Sequence, residues 1–178
     1  MYVSWGSGGH PRADCQIALL LSKTHGFNDV TQNEFEALIG EPSKRIVGNI
    51  EWGDDEDHSP SVEFRAEVES DPGYPISVRG SYNSHARALS FTLVHRSVGR
   101  IFALDVGKDH HNPDCNRVGD MHLHSWTEQF RDKVAMVPAG VTATFDDPRA
   151  LWQQFCSLAG IRHDGEFPPP RALENGVV

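Results

Sequence analysis

The stretch LSFTLVHRSVGRIFALDV, residues 89–106, decides the fold class of this chain. Apolar residues alternate on either side of a small polar break, so that Phe91 and Leu93 share one face and Phe102 and Leu104 share one face of the next segment. Alternation with a period of two is typical of strands. A short break that contains glycine, between two such segments, predicts a β-hairpin.

Segments on both sides of this hairpin extend the sheet. Residues 61–69, SVEFRAEVE, alternate most cleanly, with apolar side chains on one face and charged side chains on the other. Further strands are predicted in four segments: 46–52, 76–82, 121–126 and 133–138. We therefore expect an antiparallel sheet of about five to seven strands.

Helices are predicted at both ends of this sheet. Thr31 and Glu34 form a capping box, and Gly40 is expected to be the left-handed residue that ends the helix. Asp147 is the predicted N-cap of a C-terminal helix that reaches Gly160, and a weaker helix is predicted over residues 15–24. The fold class is therefore α+β, with one or two N-terminal helices and one C-terminal helix. The predicted core includes five residues: Phe64, Leu93, Phe102, Leu151 and Phe155.

The length of 178 residues suits one domain, and 38% hydrophobic residues suffice for a core. Residues 1–12 are interpreted as a flexible leader and residues 13–162 as a single α+β domain. Residues 163–178, which contain three consecutive prolines, are interpreted as a disordered tail.

The charge and the cysteine content limit the classes of function and the cellular location that suit this chain. The net charge of −9 disfavours a broad electrostatic surface for nucleic acid and suits a protein that binds a basic partner. The three cysteines are widely spaced and follow no disulfide framework, which predicts a reducing, cytoplasmic location. The chain has no apolar run long enough to span a bilayer, so no membrane partner is expected.

Chemistry-bearing residues concentrate in DHHNPDCNRVGDMHLHSW, residues 109–126. His122 and His124 are two apart on a predicted strand and therefore point to the same face. His111 and Cys115 lie in the preceding loop, which can fold back over that face. One interpretation is a metal site for zinc or another divalent transition metal ion, formed by the three histidines with or without the cysteine.

A second interpretation is metal-free phosphodiester chemistry on RNA. His122 or His124 would act as general base or acid and His111 as its partner, with Asp105 at the same end of the sheet. Two further residues are candidates to hold the phosphate: Arg131 and Lys133.

Two interpretations without catalysis also remain open. The histidines can belong to an ordinary polar loop and a solvated strand face. Alternatively, the chain is a non-enzymatic acidic protein that binds a cognate protein partner, as an antitoxin or a phage-derived inhibitor does.

The chain also resembles a functionally uncharacterised family of small prokaryotic proteins over about residues 30–161. Three segments carry the resemblance: TQNEFEALI, RIFALDVGKDHHNPDCNRVGDMHLH and FRDKVAMVP. The family pattern matches ten positions: Asp105, His111, Asn112, Pro113, Asp114, His122, His124, Asp132, Lys133 and Ala135. The family usually has glycine where this chain has Cys115, which favours three histidine ligands over a cysteine ligand.

A shorter pattern, an Asp-ended strand followed by clustered histidines, is similar to ribonuclease-like toxins of toxin–antitoxin systems. This resemblance implies RNA cleavage in a toxin–antitoxin or defence context. The leading functional hypothesis from the sequence is therefore a ribonuclease-like phosphodiesterase.

Overall fold

The computed structural model describes residues 30–171. Within this range the chain forms two helices and nine strands, in the order α1 (Gln32–Gly40), β1 (Arg45–Val47), β2 (Gly53–Asp54), β3 (Val62–Val68), β4 (Ile76–Asn83), β5 (Ala88–His95), β6 (Gly99–Val106), β7 (Met121–Ser125), β8 (Ala135–Met136), α2 (Pro148–Ala159) and β9 (Arg162–Asp164). Strands β2 to β8 form one seven-stranded sheet in sequence order, and β1 pairs with β9 in a separate two-stranded sheet. The predicted α+β class is confirmed. The predicted leader and the predicted helix over residues 15–24 lie outside the described residues.

Neighbouring strands of the large sheet are antiparallel throughout. Short turns join β4 to β5 and β5 to β6, whereas a long loop, residues 107–120, joins β6 to β7. The predicted hairpin is formed by β5 and β6, with a bulge between Leu93 and Val94. One face of the sheet carries the core and packs against α2 through edge and tilted contacts between aromatic rings. All five residues predicted for the core are buried.

Helix α1 begins as predicted and ends differently. Thr31 and Glu34 form the reciprocal capping box. Gly40 stays inside the helix, and the C-cap is Glu41 in an extended conformation. The fully buried ammonium group of Lys44 donates to the carbonyls of Leu38 (2.8 Å), Ile39 (2.6 Å) and Glu41 (2.8 Å). A buried lysine thus satisfies the helix end where we expected a left-handed glycine.

The change Lys44→Met is therefore expected to destabilise the domain by about 2–3 kcal/mol, because it leaves carbonyls at the end of α1 without a donor. Urea denaturation followed by circular dichroism measures the effect. The exposed Lys108 provides the control, since Lys108→Met removes a lysine that lies on the surface. Equal midpoints for the two variants would show that the ammonium group is not needed.

The predicted first strand over residues 46–52 is divided between the two sheets. Its first part is β1, and the chain then turns at Gly48, whose φ of 92° lies in the region that favours glycine. Within the described residues, β2 is the first strand of the large sheet. Alternation alone does not reveal this break.

The domain continues beyond its predicted end at residue 162. Strand β9 runs parallel to β1, with Arg45 paired to Arg162. Phe167 is buried and packs against Trp52 and Trp152, and the indole N–H of Trp52 donates to the carbonyl of Pro168 (3.1 Å). Residues 163–171 therefore belong to the folded domain, although we expected a disordered tail there. Helix α2 ends as predicted, with Gly160 in the left-handed conformation at φ 63°.

Neither α1 nor α2 is long and apolar enough to cross a membrane.

Candidate metal centre

The second face of the large sheet carries a polar row made by strand register. Asp105 on β6 pairs with His122 on β7 and with Ser90 on β5. Ala103, two residues before Asp105, pairs with His124. Since alternate residues of a strand share a face, the carboxylate and both imidazoles stand on the side opposite α2. Directly paired residues in antiparallel strands have Cβ atoms about 4.5–5.5 Å apart, which brings these groups within contact distance.

The loop that follows β6 adds a third imidazole, that of His110. One ligand atom from each of His110, His122 and His124 lies within 4.8 Å of the others. The ring of His110 is 5.0 Å from that of His122 and 4.7 Å from that of His124, measured between centroids. The two strand histidines are 2% exposed, whereas His110 is partly exposed. The three residues are called the histidine cluster below.

Asn112 fixes the loop that carries His110. Its side-chain N–H donates to the carbonyl of Ala135 (2.9 Å), and its side-chain oxygen accepts from the N–H of Ala135 (2.8 Å). The side-chain amide of Asn112 therefore makes the two hydrogen bonds to β8 that the backbone of a neighbouring strand would make. The loop is therefore attached to the edge of the sheet two residues after the histidine that it presents.

Each imidazole of the histidine cluster uses one ring nitrogen on a backbone carbonyl. The pairs are His122 Nδ1 with the Gly119 carbonyl (3.0 Å), His124 Nδ1 with the Asp132 carbonyl (2.8 Å) and His110 Nε2 with the Lys133 carbonyl (3.1 Å). A carbonyl only accepts, so the bonded nitrogen of each ring must carry the proton. In the neutral imidazole the other nitrogen then has a lone pair, which is the form that binds metal ions.

Asp105 lies against the two strand histidines. Its Oδ2 is 3.6 Å from Nε2 of His122 and 3.3 Å from Nε2 of His124. The hydroxyl of Ser90 donates to its other oxygen, Oδ1. Burial alone raises the pKa of Asp105, but hydrogen bonds with His122, His124 and Ser90, together with the charge of His124, hold it well below its usual range. Asp105 is therefore a carboxylate, although only 6% of it is exposed.

Arg100 lies between Asp105 and Asp132. Its Nε donates to Oδ2 of Asp132 (2.9 Å), and its Nη1 is 3.4 Å from Oδ2 of Asp105. The carbonyl of the same Asp132 accepts from His124. Asp132 therefore holds the imidazole of His124 with its backbone carbonyl and the guanidinium of Arg100 with its side chain. Arg100 thus links Asp132 to the carboxylate at the centre of the site.

The pKa of His110 is lower than usual, first because of burial and then because of the nearby charges of His124, His122 and Arg100. The hydrogen bond to the Lys133 carbonyl opposes this shift without cancelling it. Neutral imidazole is therefore favoured at His110.

Of the three histidines predicted to converge, the structure brings His122 and His124 together, and the third imidazole beside them is that of His110 and not that of His111. His111 is exposed and pairs across its loop with Arg117. Asn112, two residues after His110, is the available signal. Asn112 bonds to Ala135 of β8 and His110 bonds to the carbonyl of Lys133 just before β8, whereas His111 between them is exposed. Ser90 was not predicted as a site residue. The predicted β5–β6 hairpin, which pairs Ser90 with Asp105, could have indicated it.

The remaining predicted residues lie outside the histidine cluster. Cys115 occupies an exposed turn at φ 65° and is disulfide-bonded, so it offers no free thiolate, and the expectation of no disulfide is wrong for this cysteine. The guanidinium of Arg131 lies over the ring of Trp126, 5.8 Å from its centroid. Lys133 is exposed, and its backbone carbonyl is the part that contacts the cluster.

A model described as a family of unknown function, DUF6978, matches residues 30–161. The chain belongs to this family. The match spans most of the chain and includes every residue of the histidine cluster, and it agrees with the resemblance to an uncharacterised family. No curated protein and no solved structure matches the chain. The similarity to ribonuclease-like toxins gains no support from these comparisons and stays a prediction.

Proposed function

We propose that this protein binds one divalent transition metal ion, zinc foremost, through His110, His122 and His124. The observation that carries the proposal is the convergence of three imidazoles whose other ring nitrogens are all bonded to backbone carbonyls. Histidines that bind metals almost always make such a second bond, which fixes the tautomer and the ring orientation.

Electrostatics favour a cation at this point. If both rings are neutral, with their protons on the carbonyl side, the lone pairs of His122 and His124 face the carboxylate of Asp105, and acceptors that face one another repel. A buried polar atom without a partner costs about 1–3 kcal/mol. A zinc ion would be shared by all of these groups, and neutral imidazole is among its preferred ligands.

The metal-free ribonuclease hypothesis is less well supported by this geometry. A general base must come within hydrogen-bond reach of the proton that it removes. His122 and His124 are 2% exposed, so a phosphodiester has little access to either ring. Arg100, the nearest guanidinium, is paired with Asp105 and Asp132. RNA cleavage, a toxin–antitoxin context and binding of a basic protein partner stay predictions.

Two adjacent histidines provide a matched test of the metal site. The wild-type protein, His110→Ala and His111→Ala are stripped with a chelator, reloaded with zinc and analysed for bound metal and affinity. We expect one zinc ion per chain for the wild type and for His111→Ala. For His110→Ala we expect affinity at least about 100-fold weaker, since loss of a ligand exceeds the 10–100-fold cost of losing an outer-shell partner.

The result that contradicts the proposal is a wild-type protein that retains no zinc, or a His110→Ala variant that binds as tightly as His111→Ala. Incubating the wild type and a His122→Ala variant with RNA, with zinc and with chelator, tests the ribonuclease hypothesis separately. Cleavage in chelator that is lost when His122 is replaced would favour acid–base catalysis without metal.

A further inference from the structure

We infer that Asp105 is the fourth metal ligand, so that the site is a closed centre of three histidines and one carboxylate. This inference rests on the proposed function, because it assigns the coordination position that three histidines leave open. Three protein ligands with an open position are typical of catalytic zinc, and four protein ligands are typical of structural zinc. The inference therefore predicts what kind of metal site this is.

The spacing of the ligand atoms supports the assignment. Zinc lies about 2.0–2.1 Å from a histidine nitrogen and about 2.0–2.2 Å from a carboxylate oxygen, so two such ligands at a tetrahedral angle are about 3.3–3.5 Å apart. Oδ2 of Asp105 is 3.3 Å from Nε2 of His124 and 3.6 Å from Nε2 of His122. The separation from His124 matches an edge of the coordination tetrahedron, and the separation from His122 is slightly longer than one.

The two oxygens of Asp105 have different surroundings. Ser90 donates to Oδ1, while Oδ2 faces the two imidazoles and also lies 3.4 Å from Nη1 of Arg100. Ligating carboxylates usually receive such an outer hydrogen bond, which fixes their orientation. Ser90, Asp105 and His122 are cross-strand partners on three adjacent strands, so the ligand and its support are both placed by the rigid sheet.

His110 is the adjustable member of the set. The ligand atoms of the three histidines lie within 4.8 Å of one another, a limit that is longer than a tetrahedral edge of about 3.4 Å. His110 is partly exposed and comes from a loop, whereas the other three groups stand on strands. We therefore expect the loop to move inward when the metal binds. Asp105, His122 and His124 are already in position on their strands, and His110 would then complete the site.

The competing explanation for the same distances is a proton. If His124 or His122 is an imidazolium, its Nε2–H donates to Oδ2 of Asp105 and no metal is needed. The two explanations differ in coordination chemistry, which can be measured directly on the unaltered protein.

The first experiment uses the wild-type chain loaded with cobalt(II), whose absorption spectrum reports the coordination geometry. We expect a four-coordinate spectrum that does not change when azide is added, because a closed site offers no position for a small anion. A spectrum that shifts with azide would reveal an open position and overturn the assignment of Asp105, while leaving the three-histidine site intact. A chain that binds neither cobalt nor zinc would overturn the proposed function as well.

The second experiment compares two aspartates. Asp105→Asn keeps the shape of the side chain but removes its charge, and zinc affinity is expected to fall more than about 100-fold. Asp109→Asn is the control, because Asp109 is an exposed carboxylate on the loop that carries His110, paired with Arg117 at 2.9 Å. That variant is expected to bind zinc within about twofold of the wild type. Equal affinities for the two variants would overturn the assignment, and circular dichroism of both proteins establishes that each is folded.

Discussion

Replacing Phe155 with alanine is expected to lower the free energy of unfolding by about 3–5 kcal/mol, the largest cost of any single change considered for this fold. Phe155 is fully buried, and its ring packs 5.7 Å from that of Phe91 and 6.2 Å from that of Phe102, between centroids. It therefore joins α2 to the central strands β5 and β6. The side chains around it belong to a sheet that cannot collapse into the space, so most of the cavity remains. Urea denaturation followed by tryptophan fluorescence measures the change.

Ser157 on the same helix provides the control. It is exposed, so Ser157→Ala changes helix propensity by only a few tenths of a kcal/mol. A Phe155→Ala variant whose midpoint lies within error of that of Ser157→Ala would show that α2 does not hold the sheet as described. Zinc binding by folded Phe155→Ala should stay near the wild-type value, because Phe155 lies against the face opposite the histidine cluster.

Local patterns predicted the parts of the fold that depend on neighbours in sequence. Period-two alternation identifies β3 and the β5–β6 hairpin, and strands joined by short turns pair with their sequence neighbours. The parallel pair of β1 and β9 joins Arg45 to Arg162, a contact that no local pattern encodes. The same holds for Phe167, a single apolar residue beside prolines that reaches the core through Trp52 and Trp152.

The sequence predicted those parts of the candidate site whose positions follow from strand geometry. His122 and His124 share a face because they are two residues apart, and Asp105 joins them because β6 and β7 are adjacent and antiparallel. The choice between His110 and His111 depends on which side of the loop faces the sheet, and that is decided by the contact of Asn112 with Ala135. The sequence of a loop has no regular alternation of polar and apolar residues, so it does not show which side chains face the sheet.

Removing zinc from the wild-type protein is expected to lower its stability by about 4 kcal/mol when the free metal concentration is 1,000 times the dissociation constant. The cause is mass action: the folded chain brings together the imidazoles from β7 and from the loop after β6, whereas the unfolded chain does not hold them in one place. For a chain of this size about 4 kcal/mol corresponds to roughly 8–16 °C in Tm. Thermal melts in excess zinc and in excess chelator measure the difference.

Variants of the two loop histidines distinguish stabilisation by zinc at the histidine cluster from a general effect of zinc on the protein. His111→Ala keeps all members of the histidine cluster, so its Tm should rise in zinc as much as that of the wild type. His110→Ala should lose most of the rise, because an affinity about 100-fold weaker removes about 2.7 kcal/mol of the stabilisation at the same free zinc concentration. Its Tm in chelator should stay close to that of the wild type in chelator, since His110 is partly exposed and lies on a loop. A rise in Tm that is equal in all three proteins would mean that zinc acts elsewhere on the chain, and no rise in the wild type would mean that the three imidazoles do not form a metal site.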